Sequence, residues 1–234
     1  MLQKLCFSLF SLCCFTFSIS HLEGQNQYKS TSIPSPTVNN FMRLATGVYD
    51  NQKLIDSLQT IGNLPQKLHP QTILCYPIWE DLKDENWLYF GWFSPLDKLN
   101  ALEEMFIRII DNEDGNTIAE WYQLPLKAKK EDAQEWLKDK PFDNIVPAEV
   151  RTEENFFAVC DIISQGTGFQ LKARENGVYN LNSQYACKFM FINMFFHPEH
   201  YSSACKFYNE NQEILVEQSP ELPLMKISKK YKKF

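Results

Sequence analysis

The chain has 234 residues, 44% of them hydrophobic and 22% charged, which is enough to bury one sizeable core and excludes disordered, collagen-like and coiled-coil architectures. Lys and Arg number 23 against 29 Asp and Glu, a net charge of -6, and five of those lysines, Lys226, Lys229, Lys230, Lys232 and Lys233, fall in a C-terminal run, which leaves the body of the chain more acidic still. A broad electropositive surface for nucleic acid is therefore excluded for the body of the chain. With 18 Phe, 10 Tyr and 5 Trp against 8 Gly, the core is built from large flat side chains.

Met1 to Lys4 is a short basic start, and Leu5 to Ile19 is an apolar run broken only by Ser, Thr and Cys. That run falls short of the roughly 20 residues that span a bilayer. It reads as a secretory signal peptide over residues 1–20, cut as late as 24, which directs the protein to secretion, a periplasm or an endomembrane lumen without a retained anchor. Residues 25–37, rich in Ser, Gln, Asn and Pro, read as a flexible leader. A single domain is expected over 38–225, followed by a solvated basic tail over 226–234.

From Val38 the apolar residues Val38, Phe41, Met42 and Ala45 recur at helical spacing, Gly47 interrupts, and Leu54, Ile55 and Leu58 resume the pattern to Gly62, predicting two short helices with a bend. Segments rich in aromatic and branched residues follow: 71–79, 86–93, 102–111, 116–124, 156–164, 168–174, 184–194, 204–208 and 212–217. Hairpin signals join them at 112–115, 165–168, 175–177 and 209–211. One later helix is predicted over 130–138. With no βαβ alternation, the economical arrangement is a mostly β, lipocalin-like antiparallel up-and-down barrel with short N-terminal helices, closed so as to remove sheet edges. Such a barrel can hold a ligand.

After signal removal four cysteines remain, Cys75, Cys160, Cys187 and Cys205, which in an oxidising compartment allow three connectivities for two bridges. His197 and His200 flank Pro198 and Glu199 without a local third ligand, and no metal site is expected there. No glycine-rich phosphate loop or nucleophile elbow is present.

The order Thr46-Gly47-Val48-Tyr49-Asp50-Asn51, Tyr76-Pro77-Ile78-Trp79, Asn86-Trp87-Leu88-Tyr89, Arg108 in a strand before a hairpin, Trp121-Tyr122-Gln123-Leu124-Pro125, then Cys160 followed by Cys187, resembles the CpcT/CpeT phycobiliprotein chromophore lyases over nearly the whole mature chain. The resemblance implies a lipocalin-like barrel that binds an open-chain tetrapyrrole, a phycobilin, as substrate ligand rather than as a tightly bound cofactor. It also implies a phycobiliprotein partner, to whose cysteine the bilin is attached as a thioether. Such a site needs cations for two propionates, flat aromatics to stack on the conjugated system, and an acid near the pyrrole nitrogens. On this reading Arg108 is the cation, Trp87, Tyr89 and Trp121 the aromatics, Asn51 a family-placed polar residue, and Asp50 the one candidate acid, competing with a role as helix cap. Cys160 and Cys187 are implied to form a disulfide tying two strands. Phe90-Gly91-Trp92 stands where the family carries a polar run, and Glu104-Met105-Phe106-Ile107-Arg108 keeps only the final arginine of the family's strand. The alternative is therefore a secreted, non-enzymatic barrel for an amphipathic or tetrapyrrole-like small molecule.

Overall fold

A computed structural model describes residues 34–62, 70–82, 85–94, 97–125, 142, 144–174, 189–209, 211, 213–218 and 223–228. The signal peptide expected over residues 1–20, the helix expected over 130–138, the hairpin expected at 175–177, Cys187 and residues 229–234 lie outside them.

Helix α1, Pro36–Ala45, starts where the sequence supplies both devices of a helix N-terminus: Pro36 at the first turn, and Ser35 as N-cap, its Oγ accepting from the Val38 N–H at 3.2 Å. It buries the stripe Val38, Phe41 and Ala45 and ends at Thr46, whose backbone N–H and hydroxyl both donate to the Met42 carbonyl. The bend expected at Gly47 is a four-residue strand, β1, Gly47–Asp50. Helix α2, Gln52–Thr60, follows and buries only Ile55. The remaining elements are β2 (Thr72–Ile78), β3 (Asn86–Ser94), β4 (Asp97–Asp111), β5 (Thr117–Gln123), a single turn α3 (Pro147–Val150), β6 (Phe156–Gln165), β7 (Gly168–Ala173), β8 (Phe189–Phe196), β9 (His200–Tyr208), β10 (Ile214–Gln218) and β11 (Leu224–Ser228).

Every pairing between strands is antiparallel. β1 to β9 pair in succession from β1–β2 onward, and β11 inserts between β9 and β1 to close a ten-strand ring. β10 hangs on the part of β9 that β11 leaves free: His200 and Tyr201 pair with β11, whereas Cys205 to Tyr208 pair with β10. The barrel expected from the sequence is the observed fold. β11 runs through Lys226, where a solvated tail was expected to begin.

The hairpins form for local reasons. Asn112 Oδ1 accepts from the N–H groups of Asp114 and Asn116, and Gly115 takes φ 78°. In the two-residue β6–β7 turn, Gly166 takes φ 59°, a left-handed conformation that a side chain resists.

The sheet is apolar on both faces. The interior holds one cluster drawn from nearly every strand, including Tyr49, Ile73, Leu88, Phe90, Met105, Ile107, Trp121, Cys160, Leu171, Ile192, Phe196 and Tyr201, with the buried stripe of α1. Phe41 packs edge-on against Phe169 and Phe196, with ring centroids 5.7 and 5.5 Å away. A second core lies outside the wall on β2 to β5. There Tyr76, Trp87, Tyr89, Phe106 and Tyr122 are covered by Phe142, Ile145 and Val150.

Candidate functional site

Alternation along each strand decides what the candidates can reach, because successive side chains take opposite faces. On β3, Leu88 and Phe90 belong to the interior cluster, while Trp87 and Tyr89 belong to the outer core. On β4, Ile107 and Ile109 face inward, so Arg108 faces outward, and on β5 Trp121 faces inward between outward Glu120 and Tyr122. The structure thus separates the expected ligand set. Trp121 lies inside, Trp87, Tyr89 and Arg108 lie on the far side of the same wall, and Asp50 and Asn51 lie at the start of α2.

Arg108 is buried without being an interior cation, which corrects the inward orientation its proposed role requires. One terminal nitrogen donates to Glu120 Oε2 at 3.1 Å and the other to Glu85 Oε1 at 3.2 Å. Glu85 also receives Arg151 at 2.9 Å and the Trp87 indole N–H at 2.8 Å, and Glu120 receives the Tyr122 hydroxyl at 2.9 Å. Burial, then the neighbouring Glu120 carboxylate, raises the Tyr122 pKa and keeps that hydroxyl a donor. Two arginines and two glutamates balance in charge, so the network leaves no net charge to attract a propionate.

Trp87 and Tyr89 are equally committed. Tyr89 donates to Glu104 Oε1 at 2.6 Å and its ring lies against Phe142 at 5.1 Å, while Trp87 stacks edge-on with Trp79 and tilts against Tyr122. Two aromatic residues here, Trp79 at φ 52° and Phe142 at φ 65°, hold left-handed backbone conformations, and the Trp79 indole donates to the Phe142 carbonyl at 3.2 Å. Such conformations cost on the order of 1–3 kcal/mol each and persist only where packing over-determines them. Here the outer core supplies that packing.

Asp50 precedes the N-cap, Asn51, and is not itself the cap expected: its Oδ1 accepts from the Gln52 N–H at 3.3 Å, an Asx turn leading into α2. Asn51, 3% exposed, accepts the Gln71 N–H at 2.8 Å and so ties α2 to the head of β2. Both have clear structural occupations.

Cys75 and Cys160 are free, buried thiols. No disulfide is found among the described residues: Cys160, whose bond to Cys187 the resemblance implies, is a free thiol in the packed interior, paired on β6 with Ala119 of β5 and Ala173 of β7. Burial pushes each thiol from 9.0 up to about 12, which suppresses the thiolate needed for nucleophilic chemistry. The inward-facing charged groups are held by protein partners. Asp111 accepts from the Ser35 backbone at 2.9 Å, the Ser35 hydroxyl at 3.0 Å and Thr117 at 2.6 Å, anchoring the head of α1. Lys226 donates to the Leu44 carbonyl at 2.7 Å and lies over the Tyr49 ring, anchoring its tail. Sequence reasoning assigned neither residue a role in the site. A serine–proline helix start supplies a signal for a capping partner, but nothing local points to Asp111.

At the β8–β9 turn His197 and His200 stack with ring centroids 4.4 Å apart, and His197 Nε2 meets the Thr167 hydroxyl at 2.8 Å. Burial, then the neighbouring His197, lowers the His200 pKa.

No family model matches the sequence, and no curated protein matches it. Among solved structures, the chain is similar to the CRL protein of Arabidopsis, with a TM-score of 0.53 and 12% identity over 81% of this chain and 96% of that one. It is also similar to the T-type phycobiliprotein lyase CpeT from Prochlorococcus phage P-HM1, with a TM-score of 0.47 and 10% identity over 82% of this chain and 98% of that one. The likeness to the CRL protein shows a shared barrel fold.

Proposed function

We propose that the protein is a secreted, non-enzymatic barrel that takes a flat amphipathic molecule of the open-chain tetrapyrrole kind into its interior. The observation that carries this reading is the division between the two faces of the wall. A closed barrel presents aromatic surface inward, while Arg108, the charged residue that the lyase resemblance points to, is consumed in the outer core. Asp50, the remaining candidate acid, is occupied in the Asx turn before α2. The ordered motifs shared with the chromophore lyases support the ligand class. Transfer of a bilin to a phycobiliprotein cysteine is the second reading, favoured by those same motifs.

The test is an absorbance and fluorescence titration of the purified protein with a phycobilin, followed by incubation with an acceptor phycobiliprotein. A saturable, red-shifted complex that leaves the acceptor cysteine unmodified is the expected outcome. A thioether adduct on the acceptor would establish the lyase reading instead, and absence of any complex would show that the barrel does not take tetrapyrroles.

A further inference from the structure

Among the described pairings, the one that closes the ring is the shortest. β9 pairs with β8 from Tyr201 to Tyr208, whereas β11 meets β9 only where Leu224 faces Tyr201 and Met225 faces His200. The Lys226 N–H extends this seam by reaching the Glu199 carbonyl at 2.7 Å. On the β9 side, every group in the seam thus belongs to the turn His197-Pro198-Glu199 or to the first two residues of the strand.

That turn is built around an uncharged imidazole. His197 Nδ1 accepts the Glu199 N–H at 3.3 Å and so carries no proton, which leaves the ring hydrogen on Nε2, donated to the Thr167 hydroxyl at 2.8 Å. The His197 backbone N–H closes the turn on the His200 carbonyl at 2.9 Å. The two imidazoles stack with centroids 4.4 Å apart, and the Phe195 ring lies 6.2 Å from His197 and 6.1 Å from His200. A proton on His197 Nδ1 sets a donor against the Glu199 N–H. A second proton on His200 brings two like charges into ring contact.

The surrounding elements do little to offset that charge. Glu199, exposed in the turn itself, is the carboxylate that acts on His200. β8 presents Phe195 and the β6–β7 turn presents Thr167, neither of them charged. β11 presents Met225 opposite His200 and sends the Lys226 ammonium inward to the Leu44 carbonyl. Asp50 faces Met225 from β1 and so stands two strands from His200, roughly 10 Å. Burial and then His197 outweigh Glu199, so His200 takes a proton less readily in the closed turn than in an opened one. The opened form is therefore favoured as pH falls below about 6.5.

We propose that the His197–His200 stack is a pH-sensitive latch on the barrel. Protonation of the pair breaks the β8–β9 turn, withdraws the Glu199 carbonyl from Lys226 and parts β11 from β9, opening the ring at its shortest seam. Because Lys226 also holds the Leu44 carbonyl, the tail of α1 loosens in the same event. The latch acts whatever the barrel binds.

The test is hydrogen exchange read by mass spectrometry on the purified protein at about pH 7.5 and about pH 5.5, corrected for the intrinsic pH dependence of exchange. It is run on the parent and on the double variant His197→Gln, His200→Phe. Glutamine keeps a neutral donor and acceptor in the turn, and phenylalanine keeps a flat ring that takes no proton. The parent is expected to exchange about tenfold faster at the lower pH across residues 197–201 and 223–228, the effect of losing about one hydrogen bond, with residues 105–110 of β4 unchanged. The double variant should show no such acceleration. Equal acceleration in the variant, equal protection of the parent at both pH values, or acceleration that spreads to β4 as in global unfolding would overturn the proposal. Nitrogen NMR of the parent at about pH 8 needs no variant: Nδ1 of His197 should be the unprotonated ring nitrogen, and a hydrogen found there would overturn the proposal as well.

Discussion

Replacing Arg108 with Ala separates a structural guanidinium from a ligand-binding one. The side chain is 5% exposed and bridges Glu120, 3% exposed, to Glu85. Without it, Glu120 keeps only the Tyr122 hydroxyl, whereas Glu85 retains Arg151 and the Trp87 indole. Removing one member of a buried pair costs about 3–5 kcal/mol, chiefly through the charge left behind. Because Glu85 keeps two partners, the loss falls in the lower part of that range, about 3–4 kcal/mol. At roughly 2–4 °C per kcal/mol for a chain of this size, the melting midpoint falls by about 6–16 °C. Ligand affinity, measured below that midpoint, changes less than about twofold, because the guanidinium stands on the opposite side of the wall from the interior. The double variant Arg108→Met, Glu120→Leu removes both charges and recovers most of the lost stability, as apolar replacement of a buried pair does elsewhere. Circular dichroism melts and a parallel titration read both quantities. An unchanged midpoint with affinity reduced tenfold would refute this reasoning and restore Arg108 as a ligand cation.

Phe41→Ala should cost about 3–5 kcal/mol, since it empties the contact of α1 with Phe169 and Phe196, and hydrogen exchange should accelerate across residues 36–45; unchanged exchange would mean that α1 does not depend on this packing. At Gly91 an added Cβ would lie 2.6 Å from both the Phe93 ring and the Tyr89 hydroxyl, so Gly91→Ala should lose about 1–3 kcal/mol by over-packing, and a neutral result in denaturant melts would contradict the outer-core geometry. Cys75 and Cys160 should resist a thiol reagent at pH 8 and react in denaturant without a reductant, whereas a requirement for reduction would reveal a bond at Cys160. Their pKa values are raised by folding, so their effect on stability is absent below about pH 9 and becomes a loss as pH rises past it, where the unfolded thiols ionise first. His200 is shifted the other way, so its unfolded form binds protons more readily and its contribution is lost as pH falls below about 6.5; an NMR titration midpoint above that value would show the sign to be wrong.

The helical stripe of α1, the hairpins at Gly115 and Gly166 and the cores of the strands between residues 72 and 208 were legible because each carries its own period or turn chemistry, although β4 begins at Asp97 rather than 102 and β9 at His200 rather than 204. β1 and β11, which close the ring, were not. β1 has four residues, and its partners are β11 and β2, so nothing local distinguishes it from a bend. The lysines after Leu224 mask the alternation of β11, in which Leu224 and Lys226 turn inward while Met225 and Ile227 are exposed. The candidate site was legible as a set of aromatic and charged residues but not as an arrangement. In Trp87-Leu88-Tyr89-Phe90 both faces are apolar, so alternation divides the residues into two groups without indicating which group is inside. That choice is made by Phe142, Ile145 and Val150, about twenty residues or more beyond β5, when they cover one face.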